Sequence, residues 1–213
     1  MHKSNKGSLT LMQLIELSFP AQGQSPIPAD HGYALLGAVT QLIPTVHGGN
    51  GFALAPIAGR QVGGRQMALT RSSRLVVRTT VDRVGEFLPL AGKQISLAGR
   101  PLTLGVPTVQ QIEPASRLRA RLVTIKGFFE PNEFTEAVQR QLDKLEIAEA
   151  EISVGRQRTI RVKQNEILGF ETTLSKLDDE SSLKVLAGGI GGRRHMGCGV
   201  FVPCQETNDV QDS

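Results

Sequence analysis

Apolar and polar residues alternate along residues 8–19, where Leu9, Leu11, Ile15 and Leu17 fall on one face at the period of a strand. Pro20 and the stretch AQGQSPIP break that pattern. From Asp30 the period changes: Leu35, Leu36, Val39, Leu42 and Ile43 recur at i, i+1, i+4, i+7 and i+8. This predicts a helix with Asp30 as N-cap and Pro44 as its stop. Strands are predicted around Phe52 to Ile57 and Arg74 to Thr79, then a short helix around Val81 to Leu90 with Val84, Phe87 and Leu88 inward. The segment KQISLAGRPLTLG reads as a strand bent or paired about Ala98-Gly99-Arg100.

A second pass of the same order begins near Pro114. Arg117, Arg119 and Arg121 alternate with Leu118, Ala120 and Leu122, so a strand would put three guanidinium groups on one face and three apolar groups on the other. EPNEFTEAVQRQLDKLEI is predicted as a helix with Phe134, Val138, Leu142 and Leu145 on its buried stripe. RTIRVK and EILGFETTL form a predicted hairpin about Gln164-Asn165. LDDESSLKVLAGG opens with acidic residues and ends in Gly188 and Gly189, as dipole and C-cap preferences favour for a helix. A last strand is expected from about Cys198 to Val202. Two consecutive β-α-β-β-α-β units predict an α+β, tandem ferredoxin-like fold, divided into residues 1–112 and 113–213.

With 213 residues, 39% of them hydrophobic, the chain is long enough to bury one large or two small cores. No run approaches the roughly 18 apolar residues of a membrane span, and the N-terminus has no signal-like apolar core, so a soluble cytoplasmic protein is expected. Cys198 and Cys204 lie six apart on an expected extended segment, roughly 20 Å at strand rise, too far for a disulfide. They are expected to be reduced packing groups.

The net charge of +4 is unevenly distributed. Residues 1–112 carry ten basic and four acidic side chains; the remainder carries fourteen and sixteen. Within the second half Arg117, Arg119, Arg121, Lys126, Arg156, Arg158, Arg161 and Lys163 cluster ahead of an acidic C-terminal stretch. Clustered Lys and Arg predict a polyanion partner, because they supply the phosphate-neutralising part of nucleic-acid binding. Each alone is an ordinary solvated residue; together they make a face. Nine aromatics and no Trp argue against base stacking across a sheet. His2, His31, His47 and His195 are scattered, with no His-x-His, Cys-x-x-Cys or carboxylate cluster, so neither a metal nor a cofactor is expected.

Residues 188–199, GGIGGRRHMGCG, hold six glycines. Such a loop lets another backbone or a phosphate come close to its N–H groups. It lacks the Gly-Lys-Ser/Thr of a P-loop, and it follows a helix and precedes a strand, the reverse of a dinucleotide fingerprint. A long turn with a glycine C-cap is the plain alternative; Arg193, Arg194 and His195 inside it favour a ligand.

The spacing Gly189-Ile190-Gly191, five residues, Gly197-Cys198-Gly199, between the last helix and the last strand, resembles the signature of the repeat-associated RNA-binding superfamily. Within it the chain is similar to the CRISPR-associated endoribonuclease family Cas-six, and PADHGYALLGA (Pro28 to Ala38), ARLVTIKGF (Ala120 to Phe128) and GGRRHMGCGVFVP (Gly191 to Pro203) resemble its compact myxan-subtype branch. The resemblance covers residues 8–203. It implies binding of a CRISPR repeat stem-loop and metal-independent cutting of precursor CRISPR RNA, in which the 2′-hydroxyl attacks the adjacent phosphate. Other subunits of a type I surveillance complex are the implied protein partners.

Most members of that family have a histidine just after the first helix, which implies His47 here as acid or base. His31, in the first helical turn, is a second catalytic candidate, or a residue that supports the helix. Some relatives add a tyrosine on the first helix and a nearby lysine. This chain departs from them: its one tyrosine, Tyr33, lies early in the helix, Thr40 stands where the tyrosine is expected, and no lysine falls between Lys6 and Lys93. Charge on the phosphorane would then come from Arg60 or Arg65, in the expected surface loop GRQVGGR. The resemblance adds Gly189, Gly191, Arg193, Arg194 and His195 to the RNA-binding candidates. Two other readings stand beside the nuclease: a non-catalytic repeat-RNA-binding subunit, which the missing tyrosine and lysine favour, and a nucleotide-binding metabolic protein built on the glycine loop.

Overall fold

The computed structural model describes residues 13–46 and 51–205. Their elements run β1 (Leu14–Gln22), β2 (Ile27–Pro28), α1 (Gly32–Leu42), β3 (Ala53–Ala55), β4 (Arg60–Gly63), β5 (Gln66–Ala68), β6 (Arg74–Thr80) and α2 (Val84–Phe87). Then come β7 (Gln94–Leu97), β8 (Arg100–Leu104), β9 (Thr108–Gln111), β10 (Leu118–Val123), α3 (Pro131–Lys144), β11 (Glu151–Val162), β12 (Asn165–Ser175), α4 (Asp179–Gly188) and β13 (Val202–Pro203).

The first sheet has the order β3-β6-β1-β8-β7, with β9 also paired to β1; the second has the order β11-β12-β10-β13. In both, the first strand of a β-α-β-β-α-β unit lies between the third and the fourth, and all these pairs are antiparallel. The fold is tandem ferredoxin-like, with the glycine-rich loop between α4 and β13.

Each unit closes its own core. Leu17, Phe19, Leu35, Val39, Phe52 and Phe87 lead the first; Leu118, Phe134, Val138, Phe170, Val185 and Phe201 lead the second. Full burial of each such side chain is worth about 1.5–3 kcal/mol. The predicted stripes of α1 and α3 hold in their centres, but Leu42, the last residue of α1, is 37% exposed while Ile43 after it is buried. Leu9 and Leu11 lie outside the described residues.

Other expectations are corrected too, beginning with Leu88, which was expected inward and is 47% exposed. Asp30 does not cap α1; His31 occupies that position without a side-chain cap bond, and Asp30 instead accepts from Arg65 Nε and Nη2 at 2.9 and 2.5 Å. The GRQVGGR segment is a hairpin, β4–β5, turning on Gly64 and Arg65 at positive φ, and it forms a small sheet with β2. The last strand is the short β13, because the residues before it belong to the glycine loop. Asp178, by contrast, caps α4 as the acidic start predicts, its Oδ1 accepting from the Ser181 N–H at 2.7 Å.

The units are joined through the first sheet. One face carries Val77 into the first core; the opposite face, with Leu14, Glu16 and Arg78, meets the second unit. Arg78 is 3% exposed. Its Nε and Nη2 donate to Glu16 Oε1 at 3.1 and 2.6 Å, the residue directly opposite on β1. Its Nη1 donates to the carbonyls of Leu186 at 3.1 Å and Phe201 at 2.6 Å, both in the second unit. A buried charge is tolerated only when paired and hydrogen-bonded in this way.

Candidate nucleic-acid interface

A cleft of about 430 Å³ lies between the units. Pro56, Ile57, Gln61 and Met67 form part of the first unit's wall; Arg119, Arg121, Ile160 and Met196 form part of the second's. Strand alternation explains the charge there. Leu118 and Ala120 are buried in the second core, so Arg119 and Arg121 must point outward; a bulge between Ala120 and Val123 then turns Leu122, expected on the apolar face, to the cleft wall and puts Val123 in the core.

The outward arginines are not equivalent. Arg119 and Arg158 share Glu171, at 2.5 and 2.9 Å. Burial raises the Glu171 carboxyl, but Arg158 and Arg119 outweigh it and hold the group below its ordinary value. Arg121 has no ion pair among the described residues and also borders a smaller recess with Asp30, Tyr33, Arg161 and Met196. Lys163 sits at the tip of the β11–β12 hairpin at positive φ, its Nζ 5.4 Å from the centre of the Tyr33 ring. Arg156, Arg161 and Lys126 are exposed; Arg117 is half-buried with an unpartnered Nε.

The glycine loop packs against protein. The N–H of Gly191 donates to Gln141 Oε1 at 2.7 Å, that of Gly192 to the Thr124 carbonyl at 3.0 Å, and that of Gly199 to the Leu122 carbonyl at 2.7 Å. Gly189 donates to the Val185 carbonyl as a helix C-cap. Of the two partners a glycine loop can accept, another backbone and a phosphate, those four N–H groups have a protein acceptor. A Cβ at Gly197 would collide with the Pro56 ring, one at Gly199 with the Ile190 carbonyl, and one at Gly32 with the Met196 carbonyl. The loop is thereby pressed against α1 and the segment after β3, forming the floor of the cleft. Arg193 is exposed at φ 62°, whereas Arg194 turns inward and donates to the Ala187 carbonyl at the end of α4. Burial, then the charge of Arg78, lowers the Arg194 pKa.

The His195 ring rests on Phe52, centroids 4.6 Å apart, with Nδ1 buried and unpartnered. Burial, followed by the charge of Arg194, holds it below the ordinary histidine value. His31 is buried, and both ring nitrogens are engaged. Nε2 accepts from the Ile57 N–H at 2.9 Å, which leaves the proton on Nδ1 to donate to the Pro28 carbonyl at 2.8 Å. Burial lowers its pKa. Arg60 is exposed on β4. His47 lies outside the described residues. Among the groups that shape the site, Glu171 and Arg78 were not singled out from sequence, since each takes its meaning from partners distant along the chain. Cys198 is buried and Cys204 partly so; both are free, and burial pushes the Cys198 thiol up to about 11.

Paired ferredoxin-like units around a cleft edged with arginine, with a glycine loop before the last strand, define a known class of fold. A solved structure of a CRISPR-associated protein Cas6 superposes with a TM-score of 0.66 at 12% identity, covering 91% of this chain and 99% of that one. The product of a Cas6-related gene from Pyrococcus furiosus gives 0.64 at 11% identity, covering 92% and 99%. The sequence is 36% identical over 201 residues to the CRISPR-associated endonuclease Cas6 of Myxococcus xanthus (strain DK1622), covering 94% of this chain and 86% of that protein. Residues 15–206 match the family model described as Cas6 Crispr. The chain belongs to the Cas6 family.

Proposed function

We propose that the chain is an endoribonuclease that binds the stem-loop of a CRISPR repeat and cuts precursor CRISPR RNA to mature guides. The observation that carries this reading is the outward row of β10 arginines at the mouth of the inter-unit cleft, in a chain 36% identical to a Cas6 endonuclease. Cations at that spacing suit the phosphates of an A-form stem, whose deep major groove hides its base edges. Arg121, Arg161, Arg156, Lys126 and Arg193 are the exposed donors on this reading; Arg119 and Arg158 contribute a charge already reduced by Glu171.

The chemistry we propose is transesterification without a metal. A base takes the proton of the 2′-hydroxyl, whose oxygen attacks the adjacent phosphate; an acid protonates the departing 5′-oxygen, leaving a 2′,3′-cyclic phosphate and a 5′-hydroxyl. His47 is assigned one of these roles on the family resemblance. His31 is assigned to support α1, because a side chain holding Pro28 and Ile57 has no nitrogen left for RNA. Arg60 and Arg65 remain candidates for charge on the phosphorane, Arg60 the better placed because Arg65 is paired with Asp30. We further propose a division near residue 113 into a cutting unit and an RNA-holding unit, cytoplasmic residence, and retention of the product within a type I surveillance complex.

Purified protein incubated with repeat RNA tests this. Wild type should cut once per repeat, in EDTA as well as without it, and a single 2′-deoxy nucleotide at the scissile phosphate should stop it. His47→Ala should bind the RNA and leave it whole. Tight binding by wild type with no 5′-hydroxyl product over hours would replace the nuclease with a structural RNA-binding subunit. Stabilisation by a free nucleotide but not by repeat RNA would sink both.

A further inference from the structure

The contacts of Arg78 lie away from the cleft, yet they join the segments that form it. Phe201, whose carbonyl accepts at 2.6 Å, stands between Val200 and Val202, both of which line the cleft. Leu186, whose carbonyl accepts at 3.1 Å, is in the last turn of α4, three residues before Gly189. One guanidinium therefore grips the chain on both sides of the glycine loop. Its own strand, β6, pairs with β3, which leads directly into Pro56 and Ile57 on the opposite wall. We infer that Arg78 is a positioning residue that fixes the angle between the two units and with it the width of the cleft; its consequence for cutting rests on the nuclease reading above.

The chemistry is specific to arginine. The last carbonyls of a helix lack intrahelical partners and favour a cation. Leu186 and Ala187 receive theirs from Arg78 and Arg194, one from each unit. Glu16, opposite Arg78 on β1, offsets its charge, so two arginines can share one helix end. A lysine ammonium is a compact point donor; it can reach Glu16 or one carbonyl, but it lacks the planar fork that engages both sides at once.

Arg78→Met and Arg78→Lys in the full chain test the inference, with two readouts. Hydrogen exchange should quicken at Gly192, Gly199 and Cys204 by about tenfold or more in Arg78→Met, while Leu17 and Val77 in the first core keep wild-type protection. Single-turnover cutting at saturating repeat RNA should fall by about 10²-fold, the size expected for an ångström-scale misplacement, with affinity changed by less than about threefold. Arg78→Lys should recover part of both. A folded Arg78→Met with wild-type exchange around the loop and a wild-type rate overturns the inference. If Arg78→Met does not fold, Arg78→Lys and Glu16→Gln carry the same two readouts, and wild-type behaviour in both overturns it. Wild type that fails to cut any repeat RNA defeats the nuclease reading alone, since the exchange readout still decides whether Arg78 sets the seam.

Discussion

Arg78 and Arg121 are the same side chain on strands of the same fold, and both face the other unit. The first is 3% exposed, with bonds to a carboxylate and two carbonyls; the second is exposed on the cleft wall, with no ion pair among the described residues. What separates them is the surface each strand turns them toward. Beneath Arg78 lie the end of α4 and the chain at Phe201, which supply fixed acceptors; beside Arg121 lies open space. Cationic charge in this chain therefore divides into a part that holds the units together and a part left for a polyanion.

The sharpest way to break this comparison is to remove the inward arginine. Arg78→Ala leaves Glu16 and two carbonyls without a partner and should cost about 3 kcal/mol, read as a shift in denaturant midpoint. A loss below about 0.5 kcal/mol would make Arg78 no different from a surface residue. Gly197→Ala, whose Cβ meets Pro56 across the seam at positive φ, should cost about 2 kcal/mol in the same experiment.

His31→Ala strands the Ile57 N–H and should cost about 1–2 kcal/mol. Its folded pKa is depressed, so its contribution is present above the ordinary histidine value of 6.5 and is lost as pH falls below that value toward the folded pKa. Wild type should thus lose stability on acidification through this window, and His31→Ala should show a shallower loss. The outward side gives the smallest effects. Arg121→Ala should leave stability within about 0.5 kcal/mol and reduce the salt slope of RNA binding by about one. Glu171→Gln, which removes the carboxylate between Arg119 and Arg158, should tighten RNA binding at low salt; a weaker complex would refute the assignment of those two arginines to the RNA side.

Much of the architecture was legible in sequence because each unit is half-buried. The alternation of Leu118 and Ala120 with arginine and the stripe of Phe134, Val138 and Leu142 state which face meets a core, although the bulge after Ala120 breaks the period at Leu122. The same logic hid Arg78. It alternates correctly with Val77 and so looks solvated, but its face is covered by a second unit, and periodicity within one strand carries no information about that. The pairing of Arg158 with Glu171 was hidden for a different reason: Arg158 stands directly opposite Gly169, and Glu171 is its diagonal neighbour, two residues further along β12. β4, β5 and β9 are short, and β4 and β9 are exposed along their whole length with Val62 and Val109 among polar neighbours, leaving little period to read. The arginine wall of the cleft was visible as a row; Glu171, which subdues part of it, was not.

The strand β9 constrains how the molecule can be cut or built. Thr108 to Gln111 pair with Ser18 to Ile15 along the edge of β1, and the Ile112 N–H donates to the Leu14 carbonyl. A truncated polypeptide ending at Leu104 would keep every helix of the first unit and still present Ile15–Ser18 as a bare edge, the kind of surface on which chains aggregate. Leu14, one residue before that edge, packs into the second core. During synthesis β1 is therefore completed only by the last residues of its own half and by the half that follows, so of the first unit's strands it waits longest for its neighbours.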